Sequence, residues 1–394
     1  MNKGSEWELL DSTEKNSQVI ARPSHTYWQD AWRMLRKNVL AMIGLFTIIV
    51  IALGAIFLPM ISKVSYSDQK PGFGNIPPRL ELTALGDDTY VYVHKEYKLI
   101  EVSKNGEVLS APEAVEKNVA MSKITYEIGG KEVVLDYSNA KRAKKNGGAK
   151  YKIIVDGKEV DITPVKTVWN KTNLLGTDSL GRDVWIRILY GARISLTVGL
   201  VASVVNLIIG VIYGGISGYE GGRVDGIMMR IVDIINSVPS LLVVILLMVV
   251  YEPGLKTIII TIGLIYWVSM ARLVRGQVLT LKEQEFVLAA RTIGVSKWKI
   301  IMKHLIPNAM GPIIVSVTMS IPSAIFTESF LSFIGLGVAA PQASWGTLAN
   351  DALGGIRSYP YQLIAPAIAI AVTMFAFNFL GDGLRDALDP RLRK

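Results

Sequence analysis

The chain has 394 residues, half of them apolar (50%), and only 19% charged, against about 25% in an ordinary soluble domain. Its mean hydropathy is +0.35, and the apolar residues fall in blocks of about twenty, long enough to cross a hydrocarbon layer of roughly 30 Å, which excludes a plain soluble globule. The net charge of +9 lacks the basic-plus-aromatic motifs that would point to nucleic acid, and zero cysteines exclude disulfides, iron–sulfur clusters and thiolate zinc sites.

In chain order, residues 1–38 form a polar tail. It ends in a stretch where Trp28, Trp32 and Leu35 recur at helical spacing beside Arg33, Arg36 and Lys37. That pattern predicts a short helix lying in the membrane interface. The first apolar run, 39–61, suits a retained span better than the core of a cleaved signal. Residues 62–172 change character, with charges of both signs and short alternating runs. Residues 123–136 read strand, Gly129-Gly130 turn, strand; residues 151–162 read strand, Asp156-Gly157 turn, strand. Such two-residue connections are strong hairpin signals. Residues 89–109 alternate around Asn105-Gly106. Together they predict a small β-rich domain inserted between the first two spans.

Residues 173–382 carry five further apolar runs, near 194–217, 231–251, 257–274, 309–335 and 363–380. Asp233, Asn236 and Pro239 interrupt the first half of the run at 231–251. Gly199, Gly210, Gly214 and Gly218 supply the small residues that close helix approach in lipid requires. Lys and Arg crowd alternate loops: six up to Lys37, seven from Arg272 to Lys303, then Arg385, Arg391, Arg393 and Lys394. The opposite short loops hold only Lys256 and Arg357. Basic residues collect on the cytoplasmic side, so the pattern predicts six spans with both ends inside, a tail at 383–394, and the β-rich region outside.

The loop 283–304 is the most informative segment. It reads as two short amphipathic helices around Gly294, which can take the left-handed conformation that ends a helix. Ser296 can start the second helix, and Pro307 marks entry to the next span. Ala289 and Ala290 leave a face small enough for another surface to approach closely. Here the chain resembles the membrane subunits of ABC importers, whose signature is Glu-Ala-Ala, three residues, Gly, nine residues, Ile-x-Leu-Pro. Ala289, Ala290, Gly294 and Pro307 match at the right spacing. Leu288 replaces the Glu, with Glu285 one turn away; His304 and Ile306 replace the Ile and Leu. The resemblance extends to the segments 176–183, 191–196, 271–277, 328–337 and 381–391. These look like the second permease subunit of dipeptide and oligopeptide importers.

That resemblance implies an all-α polytopic membrane protein of the type I importer permease fold, with the insert as an addition to the family pattern. It implies a coupling surface formed by Glu285, Ala289, Ala290, Gly294, Trp298 and Pro307. The implied partners are a homologous permease, two cytoplasmic ATPases holding ATP and magnesium, an extracellular substrate-binding lipoprotein, peptide cargo and membrane lipid. The location would be a bacterial cell membrane. The chain has no phosphate-binding loop motif, so hydrolysis is expected on another polypeptide and no enzyme activity or cofactor in this one. Nickel complexes or glutathione are alternative cargos. An ion-gradient-driven transporter is the alternative class; it predicts an inverted repeat and broken midplane helices, and no repeat is evident in the sequence. For the insert, docking of the substrate-binding protein competes with a spacer role.

Other residues divide between two readings. Glu328 can line or gate a pathway, or be a hydrogen-bonded carboxylate at a helix end. Arg182 and Asp183 can meet cargo or its binding protein, or form a tight ion-paired turn. Asp233 is expected to pair with Arg230. His25, His94 and His304 lack metal-ligand spacing, so no metal site is expected.

Overall fold

The computed structural model describes residues 26–389, apart from Lys63, Asp87, Gly147 and Pro253. The tail 1–25 with His25, and the basic residues Arg391, Arg393 and Lys394, lie outside the described residues. The chain opens with α1 (Tyr27–Lys37), started by a reciprocal capping box between Thr26 and Gln29. Leu35 is buried while Trp28 and Trp32 are exposed, and the Arg36 guanidinium lies over the Trp32 ring at 4.9 Å. Asn38 then caps α2 (Val39–Ile61) by accepting from the Ala41 N–H. Phe46, Leu53 and Phe57 point outward along α2, as a helix side facing lipid would.

The helices that follow the β region are α4 (Val184–Glu220), α5 (Gly222–Ser237), α6 (Ser240–Val250) and α7 (Leu255–Leu281). Then come α8 (Glu285–Thr292), α9 (Lys297–Ile300), a π-helical turn, α10 (Ile306–Asn308), α11 (Met310–Leu331), α12 (Trp345–Asp351) and α13 (Tyr361–Leu388). Five of these segments are long and apolar enough to cross a membrane: α2, α4, α7, α11 with its π-helical extension, and α13. The expected span at 231–251 is not one helix. It is the pair α5 and α6, bent by 79°. Pro239 has no N–H and crowds the preceding turn, and it holds Val238 extended, at φ −91° and ψ 132°. Neither half matches a full crossing, since the 11 residues of α6 rise only about 16 Å.

The span expected at 194–217 begins ten residues earlier. Asp183 accepts from the Ile186 N–H at 2.9 Å and starts α4 at Val184. Its 37 residues rise about 55 Å, well beyond a hydrocarbon core of about 30 Å. The glycines of α4 serve packing within the chain. Gly210 faces Met270, Gly214 faces Ala271 and Val274, and Gly218 faces Val278, all on α7; Gly199 faces Ile321 and Ile325 on α11. A Cβ at Gly214 would collide with the Ala271 carbonyl oxygen, so no larger residue fits without separating the helices.

A second device joins α2 to α4. Pro59 sits inside the last turn of α2 and leaves the Ala55 carbonyl without its helical donor. Arg193 supplies one: its Nε donates to the Ala55 oxygen and its second guanidinium nitrogen to the Ile56 oxygen at 2.7 Å. Replacing Arg193 with Met keeps the length of the side chain and strands the Ala55 carbonyl. An unpaired buried carbonyl costs about 1–3 kcal/mol. The expected result is a fall in the thermal unfolding midpoint of the purified protein, recovered by adding Pro59→Ala, which restores the helical donor.

All described strands fall between Arg79 and Trp169 and form two antiparallel sheets. One has the order β10-β1-β2-β3-β4, with β1 (Arg79–Gly86), β2 (Thr89–Val93), β3 (Leu99–Val102), β4 (Val108–Ser110) and β10 (Lys166–Trp169). The other runs β5-β6-β7-β8-β9, with β5 (Ala114–Asn118), β6 (Lys123–Ile128), β7 (Lys131–Asp136), β8 (Lys152–Val155) and β9 (Lys158–Val160). A short helix, α3 (Ala140–Asn146), lies between β7 and β8. Gly129 and Gly130 both have positive φ, as do Asp156 and Gly157, which is the turn geometry that matches the twist of a two-residue hairpin.

The sheets share one core. Leu85, Val91 and Leu99 from the first pack with Ile124, Tyr126, Leu135 and Ile153 from the second. The opposite face of the first sheet buries Leu80, Leu82, Ile100 and Val168 against Ile76. That face is tied to the helices. The Tyr361 hydroxyl donates to the Ile76 and Thr177 carbonyls at 3.0 and 2.8 Å, and Gln362 donates to Asn75 and Thr177. His94 stacks on Tyr359 with 5.8 Å between ring centres. Burial holds the His94 pKa below its ordinary value, so the ring is neutral at pH 7.

Candidate functional site: the exposed helical bend

Residues 282–309 leave α7 and return to the bundle through a bend that faces outward. Gly294 sits at φ +80° between α8 and α9, the left-handed conformation that glycine adopts freely. Ser296 precedes α9 with extended backbone but makes no side-chain cap bond, so the second helix starts where expected without the expected hydroxyl contact. Pro307 lies in the first turn of α10, where a missing N–H costs nothing. The faces of α8 divide sharply. Val287 and Ala290 are buried against Ile300, Ile301 and Leu305. Glu285, Phe286, Leu288, Ala289 and Ile293 are exposed, as are Gly294 and Trp298 beyond. Phe286, Ala289 and Ile293 recur at i, i+3, i+7 and so share one side, with Ile293 79% exposed.

The bend is fastened to the end of α4. Lys297 pairs with Glu220 at 2.8 Å, and Lys282 donates to the Gly218 carbonyl at 3.0 Å. The Arg291 guanidinium lies 5.0 Å over the Tyr219 ring. One turn deeper, Asp225 of α5 accepts both arms of Arg275 on α7, at 2.7 and 2.5 Å, and the Ser217 hydroxyl of α4. Such bidentate charge-assisted pairs are among the stronger polar contacts. A force applied to the bend is therefore passed to α4 and α7 together. The Lys297–Glu220 pair is mostly solvated, with 67% of the lysine side chain exposed. Glu220→Gln should leave the unfolding midpoint almost unchanged, since solvent screens so exposed a pair.

The sequence has known relatives. Residues 191–394 match the family described as binding-protein-dependent transport system inner membrane component. Residues 26–78 match the N-terminal TM domain of oligopeptide transport permease C. This chain belongs to that permease family. The permease is 42% identical over 379 residues to the oligopeptide transport system permease protein OppC of Bacillus subtilis (strain 168), covering 96% of this chain and 94% of the relative. It is 41% identical over 392 residues to the dipeptide transport system permease protein DppC of the same strain, covering 99% and 94%. OppC of Escherichia coli (strain K12) is 48% identical over 218 residues, 55% of this chain and 72% of that one.

The remaining sequence candidates lie at the far end of the permease. Arg182 and Asp183 sit in a closed turn. Asp178 accepts from Arg182 at 2.6 Å and from Arg187 at 2.5 Å, and its other oxygen accepts two backbone N–H groups. Asp183 caps α4 and accepts from Asn173 at 2.7 Å; its burial pushes the carboxyl pKa up. Glu328 is 0% exposed. Its carboxylate accepts from Ser195 on α4 and from Ser332, both at 2.8 Å. All three residues face contacts within this chain. Asp233 pairs with Arg272 of α7 at 2.7 Å rather than with Arg230, because α5 packs against α7. Among the described residues no group of three or more acidic or His side chains could hold a metal.

Sequence reasoning missed Phe286, Leu288 and Ile293 as part of the exposed surface. The signal was present as three large apolar residues in a loop otherwise rich in charge. It also missed Tyr219 and Glu220 as anchors. Nothing in their spacing announces a contact some 77 residues away along the chain.

Proposed function

We propose that this permease is a membrane-spanning subunit of an ATP-driven importer of oligopeptides or dipeptides. The observation that carries the reading is the exposed bend: an apolar surface of Phe286, Ala289, Ile293 and Trp298, continuous in chain with α7 and in contact with the end of α4. Exposed apolar patches rimmed by charge mark docking sites, and a partner gripping this one could move both helices. Cytoplasmic ATPases are the partner that fits, with ATP and magnesium held on their side. The relatives named for oligopeptide and dipeptide transport support peptide as the cargo. In this reading a second, homologous permease completes the path, and an extracellular substrate-binding lipoprotein delivers cargo. The Lys and Arg distribution puts the bend inside the cell, both termini with it, and the two-sheet region outside. The test is uptake of tri-alanine by a strain lacking this chain and by the same strain complemented. Uptake restored by the chain should stop when ATP is depleted and survive collapse of the ion gradients. Uptake that follows the ion gradient and ignores ATP would overturn the reading.

A further inference from the structure

Beside the bend between α5 and α6 lies a cavity lined also by α4, α7 and α11. Its volume is about 460 Å³, within the range of roughly 300–1,000 Å³ typical of ligand sites. Its polar wall is built from hydroxyls and amides. Asn206 comes from α4, Asn236 and Ser240 from the two sides of the bend, Tyr266 and Ser269 from α7, and Ser316, Ser320 and Ser323 from α11. No charged side chain is among its described lining residues. Met270 and Met319 are among the apolar residues between the polar groups, with aliphatic side chains such as Ile265 and Val268, and thioether chains adapt readily to different shapes.

One atom in this wall is unexplained by the fold. Asn206 is 4% exposed, and its side-chain oxygen has no hydrogen-bond partner among the described residues. An unsatisfied buried amide oxygen is costly and rare. The serines differ: Ser320 donates to Ser203 or to the Val317 carbonyl, and Ser323 donates to the Met319 carbonyl. Their lone pairs can still accept. The wall therefore offers acceptors and adaptable apolar surface without a fixed charge.

A second cavity, of about 670 Å³, shares Ser316 and Met319 with the first. It continues past Leu273 and Gln277 on α7 and Pro312 on α11 to Arg385 at the inner end of α13. Ser269, Leu273 and Gln277 are spaced four apart on one side of α7, and Ser320, Ser316 and Pro312 likewise on α11, so each set forms one stripe. A third cavity, between α2, α4 and α13, has an almost wholly apolar lining that includes Val50, Leu58 and Ile368, a surface suited to acyl chains.

We infer that the Asn206 cavity holds the main chain of a peptide in transit, and that the adjoining cavity continues its route inward. The inference rests on the proposed peptide cargo. Peptides of any sequence share repeating N–H and C=O groups and differ in the charge and size of their side chains. A wall of amides and hydroxyls with no fixed charge engages the shared part and does not select among the rest.

The chain lacks cysteine, so single introduced thiols report unambiguously. The strain lacking this chain is complemented with the wild type, Asn206→Leu, Ser320→Cys or Ile208→Cys. Ile208 lies on the exposed side of α4 and serves as control. Asn206→Leu is expected to lower tri-alanine uptake at least tenfold while the amount of protein in the membrane is unchanged and its thermal midpoint is equal or higher. A residue kept only for structure would give the opposite stability change. Labelling of Ser320→Cys by a thiosulfonate reagent should slow about fivefold with saturating penta-alanine, and labelling of Ile208→Cys should not change. Wild-type uptake by Asn206→Leu, or peptide-independent labelling of Ser320→Cys, overturns the assignment wherever the wild type imports tri-alanine. Absence of tri-alanine import by the wild type itself would instead refute the peptide reading.

Discussion

Replacing Asp178 with alanine is expected to destabilise the protein by about 3–5 kcal/mol, the usual result of removing one partner from a buried ion pair. Asp178 is the acceptor for two guanidinium groups at 2.5 and 2.6 Å. Arg182 and Arg187 are 7% and 2% exposed, so neither can recover its lost partner from water. The Arg187 Nε already has no partner among the described residues. Asp351 reaches the same guanidinium groups at only 3.4–3.5 Å, and 47% of its side chain is exposed. Asp351→Ala should therefore cost about 1 kcal/mol or less. Thermal unfolding of the detergent-solubilised protein checks the contrast. Equal losses for the two variants would mean that the network is held by something other than Asp178.

Ala289→Arg is expected to abolish most transport without reducing the amount of protein in the membrane. Ala289 is exposed on α8, between Phe286 and Ile293, so an arginine there meets solvent in the isolated chain. In the proposed complex it would push a large charged group into an apolar contact. We expect at least a tenfold fall in tri-alanine uptake and loss of co-purifying ATPase. Ala290→Arg makes the complementary case. Ala290 is 4% exposed and packs with Val287 and Ile300, so that variant should lower the amount of folded protein itself. Unimpaired uptake by Ala289→Arg would place the docking surface elsewhere.

How much of this could be read from the sequence depended on whether the signal was local. The Gly129-Gly130 and Asp156-Gly157 turns were legible because a two-residue hairpin needs positive φ at both positions. β5 and β10 carry no such turn of their own and are defined by their neighbours in the sheet. Pro239 marked a weak span, and the helix breaks there, but the 79° angle between the two halves is not written in any local pattern. α4 was read ten residues short because Trp185, Arg187 and Arg193 depress hydropathy there. Arg187 and Arg193 instead meet Asp178 and the end of α2. The Ala-Ala-x-x-x-Gly bend was legible as a motif. Its division into a buried Ala290 and an exposed Ala289 required the packing of α9 and the π-helical turn beneath α8. Asn206 stood alone in an apolar run, a visible sign whose meaning came only with the cavity it lines.

The account turns on a membrane-embedded chain that presents the α8–α9 bend to a cytoplasmic motor and the two-sheet region to the outside. Accessibility of single introduced thiols tests this most directly, using Ile293→Cys on the bend and Val119→Cys beside β5, both highly exposed. With a membrane-impermeant reagent on intact cells, Val119→Cys should label at once. Ile293→Cys should label only after permeabilisation, and more slowly when the ATPase subunits are co-expressed. Labelling of Ile293→Cys in intact cells would contradict the account.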